Sequence, residues 1–284
     1  MKRVVLIGNR STSFFELQDH LNTEIELVRV YAVKGSRLAR DVPGEMAPVY
    51  QFTGRDKETV IRLLKQEDFD VLVSHGCPFL LPISDLRKSN RRFLNIHPSY
   101  LPRLKGKHPA NGVLLFEEPF AGATLHEMED EVDAGRIIHQ EQFPITPDID
   151  LPLLYELLFQ LEATVFRTGL QKLIDSRFEY AGEEPQGESS YYTRRDEDMQ
   201  VDFRTMSDDE ILRRVRAFGI ESQGVIARID GQPLRIVAAD RIVNPTMLKN
   251  MRIGHAARRI REYNGNWLIE SRDGIIKVTK LGVP

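Results

Sequence analysis

The chain has 284 residues, 41% hydrophobic and 29% charged, with 39 Lys+Arg against 42 Asp+Glu and a formal net charge of −3. That balance excludes a collagen-like, disordered or membrane-spanning chain, because no apolar run approaches the roughly 20 residues a bilayer demands. A single cysteine, Cys77, excludes an internal disulfide framework and a cysteine-cluster metal site.

The start, MKRVVLIG, is basic then apolar like a signal peptide, but it runs straight into Asn9, Arg10 and Ser11. It is too short for a secretory core and reads as a strand at 3–8, buried on both faces, in a cytoplasmic protein. A loop at 9–13 follows, where Ser11, Thr12 and Ser13 can each cap a helix at 14–21. Residues 25–33 read as a strand, 57–64 have helical spacing, and 71–74 form a short strand ending at His75-Gly76. Residues 93–97 are a strand halted by Pro98. Two more, 124–128 and 137–143, flank an acidic turn at 129–135. Strands alternating with helices predict an α/β fold with a Rossmann-like, mostly parallel sheet.

The spacing of Leu154, Leu158, Leu161, Val165 and Leu170 predicts one long helix over about 151–176 with a core-packing stripe. Residues 180–195 are polar and turn-rich. Ser207-Asp-Asp-Glu210 is a capping box that opens a helix to about Phe218. Strands at 225–229 and 234–238 about Asp230-Gly231, and at 267–269 and 275–279 about Asp273-Gly274, read as hairpins. The expected organisation is a main domain at 1–185, a linker at 186–206 and a small β-rich, OB-like module at 207–284. From Arg194 onward there are 17 Lys+Arg against 13 Asp+Glu. That excess is too small to argue for a nucleic-acid partner.

Most of the chemistry lies in Asn95-Ile-His97-Pro-Ser99-Tyr-Leu-Pro102, then Ala123-Thr-Leu-His126 and Asp133-Ala-Gly135. Asn95 and His97 share one strand face, since strand side chains repeat every two residues. Pro98 sets both at the carboxyl edge of the sheet, where open α/β sheets bind ligands. Asn95 offers an amide donor, and His97 exchanges a proton near neutral pH. Asp133 lies in a turn between two strands, where it can approach the imidazole. The set suits acyl transfer: a donor for an oxyanion, a base for the attacking group and a carboxylate that sets the imidazole's charge. An isolated Asn-x-His is common, so the wider pattern has to decide.

The stretch FLNIHPSYLPRLKGKHPA, with GATLHEMEDEVDAGRII after it, resembles the folate-dependent formyltransferases. That family includes glycinamide ribonucleotide transformylase, methionyl-tRNA formyltransferase and the nucleotide-sugar N-formyltransferases. Its pattern falls here at Asn95, His97, Pro98, Ser99, Leu101, Pro102, Gly106, Thr124, His126, Asp133 and Gly135, and the resemblance covers about residues 1–174. It implies N10-formyltetrahydrofolate as formyl donor, no metal, and Asn95, His97 and Asp133 as catalytic triplet. The pteridine is expected between the main chain of Gly76, Cys77, Pro78, Phe79, Leu80 and Leu81 and the loop that starts Glu129, Asp130, Glu131. Backbone groups in an apolar slot suit such a flat, amide-like heterocycle. Cys77 then lines the slot rather than acting as a nucleophile.

For the acceptor, the turn Gly8-Asn9-Arg10-Ser11-Thr12-Ser13 offers amides and hydroxyls to a phosphate. Arg10, Lys105 and Lys107 add charge, and His126 either lines the site or supports it. The turn lacks G-x-G-x-x-G, which counts against NAD. Ser190-Tyr-Tyr-Thr-Arg-Arg-Asp with Val201-Asp-Phe resembles a linker of formyltransferases that act on sugar nucleotides. The favoured acceptor is therefore a nucleotide-linked amino sugar, foremost a 4-amino-4,6-dideoxyhexose, for a surface polysaccharide such as a lipopolysaccharide O-antigen. Methionyl-tRNA is the alternative, since that enzyme also carries an appended barrel. Its Gly-Thr-Pro-type loop, however, is replaced here by GNRSTS. A regulatory folate binder would not need an oxyanion donor and a base together. The expected assembly is a homodimer with no nucleic-acid or membrane partner.

Overall fold

The computed structural model describes residues 1–88, 90–229, 231–250 and 260–282. The first strand, β1 (Lys2–Gly8), sends Val4 and Leu6 into one buried cluster and Val5 and Ile7 into another. Burial on both faces is why its sequence is a continuous apolar run rather than an alternation. β2 (Ile25–Val33), β3 (Val49–Phe52), β4 (Val71–His75), β5 (Arg92–His97), β6 (Phe120–Glu127) and β7 (Ile137–Pro144) complete a seven-stranded sheet. Its order is β3-β2-β1-β4-β5-β6-β7. β1 to β5 are parallel and β6 runs antiparallel to β5. Strand order reverses between β1 and β4, which opens a crevice at their carboxyl ends.

Helices cover both faces. α1 (Thr12–Leu17) and α2 (Arg37–Asp41) contribute Phe14, Leu17 and Leu38 to the Val4–Leu6 cluster, while α3 (Lys57–Gln66) contributes Val60, Ile61 and Leu64 to the other. α1 is shorter than its predicted span and continues as a 3₁₀ turn at Gln18–His20. Ser11 is its N-cap but makes no capping bond: its backbone is in the helical region rather than the extended one usual for a cap, and its hydroxyl donates to Asp41 Oδ2 at 2.6 Å. α4 (Ile83–Leu86) and α5 (Pro109–Leu115) follow, then the long α6 (Leu151–Asp175), close to its predicted span. Val165, Phe166, Leu170 and Leu173 of α6 join the Val4–Leu6 cluster. No helix among the described residues is long and apolar enough to cross a membrane.

The chain forms two compact units: residues 1–106, 121–143 and 157–191 make the first, and 107–120, 144–156 and 192–284 the second. The second holds β8 (Gln200–Val201), α7 (Asp208–Phe218), β9 (Val225–Ile229), β10 (Gln232–Arg241), α8 (Pro245–Asn250), β11 (Ile260–Tyr263), β12 (Asn266–Glu270) and β13 (Ile275–Leu281). They form a six-stranded sheet ordered β11-β12-β13-β10-β9-β8, antiparallel except for β8 beside β9. Ser207 caps α7 as its sequence predicts, accepting the Glu210 N–H at 3.2 Å. The predicted hairpin partners pair, β9 with β10 and β12 with β13. Asp230, in the first turn, lies outside the described residues.

Candidate active site

At the carboxyl edge of the parallel sheet, β1 and β4 come unusually close. Gly8 has φ +146°, and a Cβ there would overlap the His75 carbonyl; at Gly76, with φ +73°, it would overlap the Asn9 side chain. Only glycine permits this approach. The Asn9 N–H donates to the His75 carbonyl at 3.1 Å.

On β5 the register sets Asn95 directly opposite His126 and His97 opposite Thr124 on β6. Side chains facing across an antiparallel pair lie within contact range. His126 Nδ1–H donates to the Glu127 carbonyl at 2.6 Å, so its Nε2 is left as an acceptor. Asn95 Nδ2 donates to that Nε2 at 3.2 Å. The amide is thereby oriented and keeps one N–H for a ligand. His97 Nε2–H donates to the Leu104 carbonyl at 3.1 Å, which leaves Nδ1 facing Asp133 Oδ2 at 3.5 Å. Asp133 Oδ1 stands 3.6 Å from His126 Nε2, and Oδ2 accepts the Gly106 N–H at 2.9 Å. Leu104 and Asp133 are both non-glycine residues in the left-handed region, at φ +53° and +50°. Such backbone strain is characteristic of functional sites.

Burial draws the His97 imidazole below its usual range, against the pull of Asp133 and the Leu104 carbonyl. The ring is therefore neutral at neutral pH. Burial works to raise the Asp133 carboxyl too, but the attraction of the His97 and His126 rings when they carry a proton, with the Gly106 N–H, outweighs it and holds Asp133 down to about 2. A neutral base thus faces a fixed negative charge, which favours proton uptake at Nδ1. Other motif residues hold the frame. Thr124 Oγ1 donates to the Ser99 carbonyl at 2.7 Å and accepts the Leu101 N–H at 3.2 Å, while Ser99 Oγ donates to the Arg103 carbonyl. Ser190, from the predicted linker motif, accepts the Leu104 N–H at its Oγ, at 2.9 Å.

The segment from Gly76 to Leu81 lies outside helix and strand. Cys77 and Phe79 pack against the β1–β4 core beside buried Leu81, and Leu80 is exposed. Burial pushes the Cys77 thiol up to about 11, so it stays protonated. The acidic loop is engaged locally: Glu129 with Arg87 at 3.1 Å, Asp130 accepting the Ser84 N–H at 3.1 Å, and Glu131 with Lys105 at 3.4 Å. Lys107 belongs to the second unit, where its N–H donates to Thr193.

The loop after β1 is arranged differently from a hydroxyl cradle. The Ser11 hydroxyl goes to Asp41, and the Thr12 hydroxyl to His75 Nδ1 at 3.3 Å. Arg10 pairs with Glu162, a fully buried carboxylate of α6 that also accepts from His75 Nε2 at 3.2 Å. Glu162 was hidden in the sequence by its apolar neighbours. Its signal was a lone charge three and four residues from Leu158, Val165 and Phe166 on the buried stripe.

Residues 1–169 match the family described as Formyl transferase. A methionyl-tRNA formyltransferase of Janthinobacterium sp. (strain Marseille) is 27% identical over 258 residues, covering 89% of this chain and 78% of that protein. HypX from Aquifex aeolicus, solved with tetrahydrofolic acid, has a TM-score of 0.68 at 16% identity and covers 99% of this chain. This chain spans only 44% of HypX. An N-formyltransferase from Helicobacter canadensis, solved with folinic acid and dTDP-3-aminofucose, has a TM-score of 0.69 at 18% identity over 99% of both chains. These structural likenesses show a shared fold. With the family pattern running through β1 to α6 and across the Asn95–His97–Asp133 cluster, the chain belongs to the formyl transferase family.

Proposed function

We propose that the protein transfers a formyl group from N10-formyltetrahydrofolate to the amine of a nucleotide-linked amino sugar. The observation that carries the reading is the cluster of an oriented amide, a neutral imidazole and an ionised carboxylate at one sheet edge. When bound, the folate supplies an electrophilic formyl carbon. The irregular main chain of Gly76–Leu81, beside apolar Cys77, Phe79 and Leu81, has the donor chemistry to hold its flat, amide-rich ring. Asn95 directs its free N–H at the charge that builds on the acyl oxygen. His97 accepts the proton shed by the attacking amine, Asp133 stabilises the imidazolium, and that proton would return to N10 as the formyl C–N10 bond breaks and tetrahydrofolate leaves. His126 keeps the Asn95 amide in the donating orientation.

A sugar nucleotide is favoured by the Helicobacter canadensis likeness and by Ser190, through which the linker motif braces the Leu104 segment beside His97. Within this class a 4-amino-4,6-dideoxyhexose destined for surface polysaccharide is the preferred acceptor. Identity with a methionyl-tRNA formyltransferase makes charged tRNA the competing one. The test is formyl transfer to dTDP- and GDP-linked 4-amino sugars, a dTDP-linked 3-amino sugar, a UDP-linked 4-amino pentose and methionyl-tRNA, read by product mass. A formylated sugar nucleotide is expected, and formylation of the tRNA alone overturns the reading.

A further inference from the structure

Glu162 takes no part in the chemistry above, yet it is a fully buried charge in the first unit. Burial works to raise its carboxyl, but Arg10 and His75 outweigh that and keep it ionised. Its Oε1 has no hydrogen-bond partner among the described residues. A buried carboxylate is expensive to keep, and what this one holds is Arg10. The Arg10 side chain is 23% exposed, and its guanidinium lies 4.4 Å from the centre of the Phe159 ring. Phe159 is three residues before Glu162, so both stand on one face of α6. A second guanidinium, that of exposed Arg37, lies 6.0 Å from the same ring centre.

Two cations therefore approach one aromatic ring, and the carboxylate that pairs there among the described residues, Glu162, belongs to Arg10. Asp41, at the end of α2, takes the Ser11 hydroxyl. With the Ser11 and Thr12 hydroxyls engaged, Ser13 buried and α1 only six residues long, Arg10 and Arg37 are the groups here that offer an anion a full positive charge. Planar guanidinium forks match phosphate oxygens in pairs. Arg10 and Arg37 follow β1 and β2, and β1 is two strands from β5, about 10 Å at the usual strand spacing. A pyranose ring with its anomeric phosphate bridges such a gap, placing an amine at Asn95 and His97 and the phosphates at the arginines.

We propose that Arg10 and Arg37 form a clamp for the diphosphate of the acceptor, seated on Phe159, with Glu162 and His75 as the positioning residues that hold Arg10. The proposal rests on the sugar-nucleotide reading. Its test is calorimetric titration of the full chain with dTDP, GDP and UDP, with 5-formyltetrahydrofolate as the control ligand. Arg37→Ala is expected to weaken the tightest of the three diphosphates by roughly tenfold or more, the scale of one charge-assisted bond. Arg10→Lys, which keeps the charge but loses the fork, is expected to weaken it by a smaller factor. Folate affinity is expected to be unchanged in both. A merely structural Arg10 would lower thermal stability and leave nucleotide affinity intact. Unchanged diphosphate affinity in both variants overturns the clamp while the sugar-nucleotide reading stands. A wild-type protein that binds none of the three but formylates methionyl-tRNA overturns both.

Discussion

His97 and Asp133 share one pocket, and burial works against the charge of each, with opposite results. For His97 burial prevails and the neutral ring is preferred. The same holds for His75, where burial outweighs the pull of Glu162. The unfolded chain protonates both rings near the ordinary imidazole value of 6.5, so below that pH it binds more protons than the native state. Stability is therefore expected to fall as pH drops from 7 to 5. Urea unfolding at stepped pH checks this, and the decline should be shallower in His75→Asn. Asp133 acts later. Held at about 2, it contributes about 2 kcal/mol above the usual carboxylate range, lost as pH falls from about 4 to about 2. For catalysis, Asn95→Ala is expected to lower kcat by roughly 10²–10³, the cost of one oxyanion donor, with folate affinity unchanged. His126→Ala should give a smaller loss of the same kind, because the amide survives but is no longer oriented. Steady-state kinetics with the acceptor identified by mass separates the two effects.

Elements show why some of the molecule was legible in the sequence and some was not. β1, β4, β5 and α6 announce themselves because their apolar pattern and their burial coincide, as do the cap of α7 and the motif residues on β5 and β6. Ser11 reads as a local cap, yet it bonds Asp41 thirty residues away; no local rule reveals such a partner. α5 gave no signal, because PANGVLL mixes weak helix formers with glycine, and packing rather than propensity makes it helical. Glu162 disappeared into the stripe of α6 for a related reason: pattern reading records a stripe, and a single exception on it looks like noise. The energetic contrast on α6 tests this directly. Leu158→Ala, at a fully buried position, should cost about 2–5 kcal/mol through a cavity. Glu162→Ala should cost about 3–5 kcal/mol, because Arg10 loses the charge that neutralises it. Arg10→Met with Glu162→Leu should recover most of that loss, since a well-packed apolar pair is often as stable as a buried ion pair. Equilibrium unfolding of the single and double variants measures the coupling, and additive costs would show that the pair acts independently.

At the scale of the whole molecule, neither compact unit is one continuous stretch of the chain. The sequence divides naturally near 186–206, but the second unit also draws in residues 107–120 and 144–156. Asn111 of α5, itself fully buried, donates to the Ala217 carbonyl at 2.7 Å and to Gln223 Oε1 at 2.8 Å. Arg216 of α7 donates to the carbonyls of Thr146 and Ile149, each at 2.6 Å. Every residue of α5 is buried, including Val113, Leu114 and Leu115. A chain ended at residue 206 would keep α5 but lose α7 and the six-stranded sheet. The Asn111 amide and the apolar face of α5 would then be left without their partners, and exposed surface of that kind drives association. The truncated chain is expected to aggregate, or to bind a hydrophobic dye and unfold at a clearly lower temperature than the full chain. Substituting Asn111→Ala in the full chain should reproduce part of that loss, about 1–3 kcal/mol for a buried polar group left unpaired. A soluble, monodisperse 1–206 chain with undiminished cooperative unfolding would mean that the 107–120 and 144–156 stretches hold their structure without the C-terminal stretch of their own unit.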